Sequence, residues 1–301
     1  MQDIPNLREI TYELTTICGA NCVMCARNKY SRSGQSMTRE KVMLYTGKVV
    51  RAGYNAIILG GMGDPLAYPD IKWFLRYVKE TYPEMSIRLT TTGQYLDEDM
   101  LQIVCENVDI LKISNYGFTK PVYERVHRGS LVFEEVQKNL QRLVEYPGRR
   151  PYIIMSFLDM PVNHAELLPW VEYWRTKGLS EVNVWKQHNW GGHVGVREAL
   201  SEQEVLCARL VNRHYKLWVD GCVSVCVFDC DRTLVLGDLN TQDFDQLNEK
   251  RDRIYRIHAA RQVLHSDLDC RNCDQIFSRD NALLYLNENG SVLKDLIHGE
   301  R

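Results

Sequence analysis

No stretch of this 301-residue sequence approaches the roughly 18 consecutive apolar residues that a membrane span needs. The amino-terminal run "MQDIPNLREITYEL" has neither the basic start nor the apolar stretch of a signal peptide. These two absences predict a cytoplasmic chain with no membrane partner. Charge of one sign is missing too: 37 Lys and Arg face 39 Asp and Glu, a net charge of −2. Without a basic footprint, no nucleic-acid partner is expected. There is no internal repeat and no low-complexity linker. Apolar residues at 45% and charged residues at 25% are ordinary globular usage, which excludes the disordered and fibrous classes. The length allows one large α/β domain or one domain with a smaller companion.

What the sequence does have is cysteine, ten in all. In a reducing compartment these are not spent on disulfides, so metal ligation is the leading reason for them. Cys18, Cys22 and Cys25 cluster early; Cys207, Cys222, Cys226, Cys230, Cys270 and Cys273 cluster late. Cys105, in the amphipathic "MLQIVCENV", reads as a small buried hydrophobe.

Between the two clusters, apolar or β-branched runs at 9–15, 55–61, 86–91, 109–114, 152–158 and 181–187 alternate with amphipathic helical patterns, several opened by capping residues. A repeated β-then-α order predicts parallel strands with crossover helices. Such units build either an open sheet or a barrel, and six, short of the eight that close a barrel, allow an α/β fold with a partial (βα)6 TIM-like barrel over 1–200. After about residue 200 the rhythm changes: "YKLWVDGCVSVCVFDCDRTLVLGDL" reads as a β-hairpin, a helical stretch follows, and then "CRNC". This predicts a small α+β module over 201–301.

A tetrahedral zinc wants four ligands, so three early thiols leave either a zinc with one open position or an iron–sulfur cluster with one unligated iron. The C-x3-C-x2-C loop directly follows the first strand, at the end of the strands where such folds carry active sites. In this the sequence resembles the radical S-adenosylmethionine (SAM) enzymes. The resemblance implies that Cys18, Cys22 and Cys25 hold a [4Fe–4S] cluster, that SAM chelates the fourth iron, and that reduction by flavodoxin or ferredoxin releases a 5′-deoxyadenosyl radical. It also implies SAM contacts. "LGGMGDPLAYPDI" is similar to the family's "G-x-G-E-P-L", with Gly61 and Gly63 approaching SAM and Asp64, one methylene shorter than the usual Glu, at its amino group. "TTTGQYL" has Thr92 where the family has Asn. Ser114 falls where a polar residue reaches the ribose, and Arg128 of "YERVHRGS" where an Arg meets the SAM carboxylate. Met24 replaces the usual aromatic near adenine.

The late cysteines resemble the twitch form of the SPASM auxiliary domain, with a layout similar to that of the 2-deoxy-scyllo-inosamine dehydrogenases. On that pattern Cys207, Cys226, Cys270 and Cys273 bind an auxiliary [4Fe–4S] cluster. Cys222 and Cys230 are left over, either as small residues in a hairpin or as hydrogen-atom donors to a substrate radical. "WKQHNWGGH" brings His188, Asn189, Trp190 and His193 to the mouth of the barrel as candidate substrate contacts. The expected activity is hydrogen abstraction from a polar small molecule, sugar- or aminocyclitol-like, or from a peptide, leading to oxidation. The first strand starts so early that no leader-peptide-binding domain is expected before it, which tilts toward the small molecule. Epimerisation or peptide modification with a spare cysteine is the alternative. From another class, a noncatalytic zinc or iron–sulfur binding protein stays open.

Overall fold

The computed structural model describes residues 8–29, 34–148, 151–194, 203–277 and 283–286. In chain order the regular elements begin with β1 (Glu9–Tyr12), α1 (Arg39–Arg51), β2 (Ala56–Leu59), α2 (Ile71–Thr81) and β3 (Ser86–Thr91). Next come α3 (Glu98–Asn107), β4 (Ile110–Ser114), α4 (Lys120–Val126), α5 (Phe133–Glu145) and β5 (Tyr152–Asp159). Then follow α6 (Leu167–Arg175), β6 (Glu181–Lys186), α7 (Ala208–Val211), β7 (Tyr215–Leu217) and β8 (Cys222–Ser224). The last are β9 (Val235–Asp238), α8 (Asn248–Ala259) and β10 (Leu283–Leu286). All six strands read from the hydrophobic pattern are present, and the mixed α/β fold, dominated by parallel pairing, is of the partial TIM-like barrel class. Among the described residues, no helix is long and apolar enough to cross a membrane.

Two compact units form. One comprises 1–17, 26–87 and 188–279; the other 18–25, 88–187 and 280–301. In the first, β1 lies between β2 and β7, both parallel to it, and β7, β8 and β9 continue as an antiparallel meander. The expected late hairpin is there, and its first strand extends the sheet of the earliest strands. The turn at Gly221 (φ 106) admits no side chain, because a Cβ would lie 2.3 Å from the Tyr45 hydroxyl. Ile10 and Tyr12 of β1 are fully buried, and Tyr12 packs on Phe74 of α2 at 6.5 Å.

In the second unit β3, β4, β5 and β6 run parallel in register, and β10, which the sequence pattern did not reveal, adds antiparallel to β6. Strand alternation splits this sheet into two unlike faces. Leu89, Leu111, Ile113, Ile153, Met155, Phe157, Val182 and Val184 are buried on one, where Phe157 meets Trp170 of α6 at 5.0 Å. On the other, Lys112 sits in a row with Thr90, Ile154 and Glu181, and Ser114 in a row with Ser156 and Asn183. The Lys112 ammonium rests 4.5 Å from the Trp185 ring centre; Trp185 donates to Asn183 Oδ1 (2.8 Å), and Asn183 donates to Glu181 Oε1 (2.8 Å).

Burial lowers the Lys112 pKa from 10.5 to about 8, with Glu181 only partly opposing it. Between those two values the unfolded chain holds a proton that the folded chain has released. Stability from this group therefore rises with pH across the window and is lost as pH falls back through 8. Lys112→Met should remove that rise from denaturation curves measured between pH 8 and 10.5 and raise the melting temperature at pH 7. In NMR of the reductively 13C-methylated protein, one lysine resonance titrating near 8 should be present in the parent and missing from the variant.

Candidate functional site

A loop carrying three thiols has backbone donors to satisfy before it can hold a fixed shape. The segment that ends α4 satisfies them. Val23 N donates to Val126 O (2.9 Å), Asn21 N to Ser130 Oγ (2.7 Å), and Cys22 Sγ lies 3.0 Å from His127 Nδ1. Cys25 N donates to Cys22 O (3.1 Å), closing the turn between two of the thiols. Cys22 is buried, while Cys18 and Cys25 are half-buried. His127, fully buried, has Tyr123 at 4.4 Å and Tyr116 stacked at 6.2 Å. Burial drops its pKa to about 4, so the imidazole is neutral at physiological pH. The Tyr116 phenol is pushed up to about 12, by burial first and then by the Cys22 and Cys25 thiols, while a hydrogen bond with Ser114 opposes the shift. Cys22, Cys25, Ser114, Tyr116 and His127 therefore share one small region. Met24 is buried, Thr92 is half-buried after β3, and Arg128 is exposed with a left-handed φ of 50°.

In the other unit the glycine-rich segment after β2 is held to the stretch that follows β1. Asp64 N donates to Ile17 O (2.9 Å), and the buried Asp64 carboxylate accepts from Leu66 N (3.0 Å), capping a short 3-10 turn. A Cβ on Gly63 would lie 2.3 Å from Thr15 O and 2.7 Å from Ile17 O; one on Gly61 (φ 141) would lie 2.7 Å from Glu13 Oε2. The chain's approach to itself already demands these glycines. Glu13 Oε2 accepts from Met62 N (3.0 Å) and lies 3.1 Å from Lys216 Nζ, and both charged side chains are completely buried. The Lys216 ammonium sits 3.5 Å from the Trp218 ring centre. Trp218 donates to Ser224 Oγ (2.8 Å), which donates to Asp229 Oδ2 (2.7 Å).

Cys207, Cys226, Cys270 and Cys273 line one cavity in this same unit, together with Arg209, Asp229 and His258. Burial raises the pKa of Cys226, Cys270 and Cys273, that of Cys273 to about 12, and the fields of neighbouring thiols in the set add to each shift. Metal binding must displace those protons. The remaining late thiols are elsewhere. Cys230 packs with Ala26 and Met62 against Trp190 and Val194, whereas Cys222 on β8 is near Asp220 and Asp238. The 188–193 loop lies along the C-x2-C segment. Asn189 Nδ2 donates to Asn272 O (2.8 Å), and Asn189 Oδ1 accepts from Asp274 N (3.1 Å). His188 and Trp190 pack on Phe228 at 4.1 and 5.3 Å, and His193 approaches Asp231 at 3.6 Å.

The donor sets fit the groups that the sequence implies. Three thiols on a pinned loop suit three corners of a four-iron cube, and four thiols around one cavity suit a complete one. Among the described residues no three His, Cys, Asp or Glu converge as the ligands of a single ion do, which a four-iron cube with its wider corners does not require. Just after β4 and midway along β5, Asn115 Nδ2 and Ser156 Oγ are buried with no hydrogen-bond partner among the described residues, as expected of polar atoms awaiting a ligand. Sequence reasoning missed His127, Glu13, Lys216 and His258. Glu13 alone carried a usable signal, since Glu9, Thr11 and Glu13 alternate with buried apolar residues along the first strand.

A profile of the Radical SAM superfamily matches residues 12–168. The chain is similar, at 23% identity over 199 residues, to a GTP 3′,8-cyclase of Chlorobaculum tepidum, covering 63% of this chain and 59% of that protein's length. Among solved structures it is similar to BtrN in complex with AdoMet and 2-DOIA (TM-score 0.61, 16% identity, 91% of this chain and 96% of BtrN). It is also similar to Streptococcus suis SuiB bound to the precursor peptide SuiA (TM-score 0.65, 10% identity, 90% of this chain and 70% of SuiB). At these identities the structural likenesses speak to the fold.

Gly63→Ala drives a methyl group onto two backbone carbonyls and should destabilise the protein by about 1–3 kcal/mol in urea unfolding. Ser130→Ala removes the acceptor of Asn21 N and should cost about 1 kcal/mol while speeding loss of iron from the reconstituted protein, followed by absorbance.

Proposed function

The chain belongs to the Radical SAM superfamily, and on that premise we propose that it oxidises a polar small molecule, sugar- or aminocyclitol-like, by way of a substrate radical. The family's [4Fe–4S] cluster and SAM supply, when bound, a 5′-deoxyadenosyl radical able to take hydrogen from an unactivated C–H bond. Cys18, Cys22 and Cys25 hold that cluster. Met24, Gly61, Gly63, Asp64, Thr92, Ser114 and Arg128 contact SAM, and the neutral His127 keeps Cys22 in place without adding charge beside it. Flavodoxin or ferredoxin is the reductant, in the cytoplasm.

The observation that carries the oxidation is the cavity lined by Cys207, Cys226, Cys270 and Cys273. Removing two electrons from a substrate requires an acceptor for the second, and an auxiliary [4Fe–4S] cluster on these four thiols would be one. A partial barrel over 1–200 and an auxiliary module over 201–301 is the corresponding division of labour. The Lys112, Glu181, Asn183 and Ser156 face supports a substrate rich in hydroxyl or amino groups, as does a fold shared along nearly the whole of BtrN. Because both polar atoms of Asn189 are committed to the C-x2-C segment, substrate contact from that loop falls to His188, Trp190 and His193.

A second reading, epimerisation or peptide modification, rests on one contact: Cys230 packs on Met62, inside the glycine-rich segment. A thiol there would be the one to return a hydrogen atom, whereas Cys222 lies on β8 near Asp220 and Asp238.

Anaerobic reconstitution should give about eight irons and eight sulfides per chain. Dithionite and SAM should then yield 5′-deoxyadenosine, which a Cys18/Cys22/Cys25→Ala variant no longer makes. Cys270→Ala with Cys273→Ala should lose about four irons yet keep cleaving SAM. In deuterated water, a product two electrons more oxidised and without solvent deuterium supports the oxidation; deuterium retained at the product carbon, and lost with Cys230→Ala, supports the second reading. A parent that holds iron but forms no 5′-deoxyadenosine rules out both.

A further inference from the structure

Helix α8 points one face into the four-thiol cavity: Ile254 and His258, one turn apart, both line it. His258 is 2% exposed, and neither Nδ1 nor Nε2 has a hydrogen-bond partner among the described residues. A buried imidazole left with both positions unmet is costly and rare, so something that belongs in the cavity completes it. The nearby carboxylates do not. Glu204 is taken by Val263 N and Leu264 N at 2.8 and 3.0 Å, and Asp229 by Ser224, Thr233 and Leu234. Burial disfavours the charged ring, with Glu204 only partly opposing it, leaving a neutral imidazole with one N–H to give.

We infer that His258 donates a hydrogen bond to a sulfur of the iron–sulfur cluster held by Cys207, Cys226, Cys270 and Cys273, and thereby sets that cluster's reduction potential. The inference rests on the auxiliary-cluster reading above. Four thiols account for the four iron corners of a cube, so an imidazole reaching into the same cavity meets sulfur. Hydrogen bonds to sulfur favour the reduced, more negative cluster, and His258 therefore raises the potential. Arg209, a cationic donor in the same lining, rests on the Phe228 ring at 4.4 Å. His258 is a positioning and tuning residue, with no part in the chemistry at carbon.

The test uses the full chain carrying Cys18, Cys22 and Cys25→Ala, so that only the second cluster assembles. Its midpoint potential is read by EPR-monitored titration for the parent, His258→Phe and His258→Gln. The Phe variant should retain about four irons and shift to a more negative potential, and the Gln variant, which keeps an N–H donor, should recover part of the shift. Pulsed EPR of the 15N-histidine-labelled parent should show the weak coupling of a hydrogen-bonded nitrogen, a result that does not depend on any variant folding. An unchanged potential in the Phe variant overturns the inference and leaves the four-cysteine reading standing; the strong coupling of a directly bound nitrogen overturns both, since it puts the imidazole at an iron corner. A parent that assembles no cluster overturns that reading as well.

Discussion

The hold of Val126–Ser130 on the Cys18–Cys25 loop is the constraint on which the placement of its three thiols depends. A loop with no strand or helix of its own keeps three thiols in place only if its backbone is anchored, and the anchors are one carbonyl, one hydroxyl and one imidazole edge. Anchoring settles the loop's conformational entropy during folding, so the cluster proposed for these thiols would not have to bear it. The imidazole is also suited by being neutral, since a cation fixed there would alter the charge seen by whatever the thiolates hold.

A second constraint is the fully buried Glu13–Lys216 pair. Taking two charges out of water costs more than their attraction returns unless other partners complete them. Glu13 has Met62 N, and Lys216 has the Trp218 ring. From Trp218 the contacts continue through Ser224 to Asp229, which holds Thr233 and Leu234 and lines the four-thiol cavity. The glycine-rich segment and the auxiliary cavity thus share one polar skeleton within a single unit. Parallel pairing of β7 with β1 makes this possible by bringing Lys216 alongside Thr11, two residues from Glu13.

In the other unit, the contrast between the two faces of the β3–β6 sheet has the same logic. Apolar residues meet the helices, while Lys112, Ser114, Ser156, Asn183 and Glu181 occupy the opposite face. A structural sheet would gain nothing from a lysine whose ammonium is penalised by its surroundings. A buried lysine beside polar atoms whose bonds are unmade is the ground on which this face was proposed for the substrate.

The sequence by itself determined what repeats or clusters over short distances. Six parallel strands followed from apolar runs, the helices between them from period and caps, and the early thiol trio from its spacing, because each signal is confined to a few neighbouring residues; the choice of four among the six late cysteines came from a resemblance. It did not reveal β10, four residues whose strand character comes from pairing with β6. Nor did it reveal that β7 would lie beside β1, or that His127 would meet Cys22 across 105 positions and Lys216 meet Glu13. Only the tertiary structure decided these, since a buried polar group is defined by the partner that folding brings to it. A lone His or Lys in the chain carries no mark of whether that partner exists.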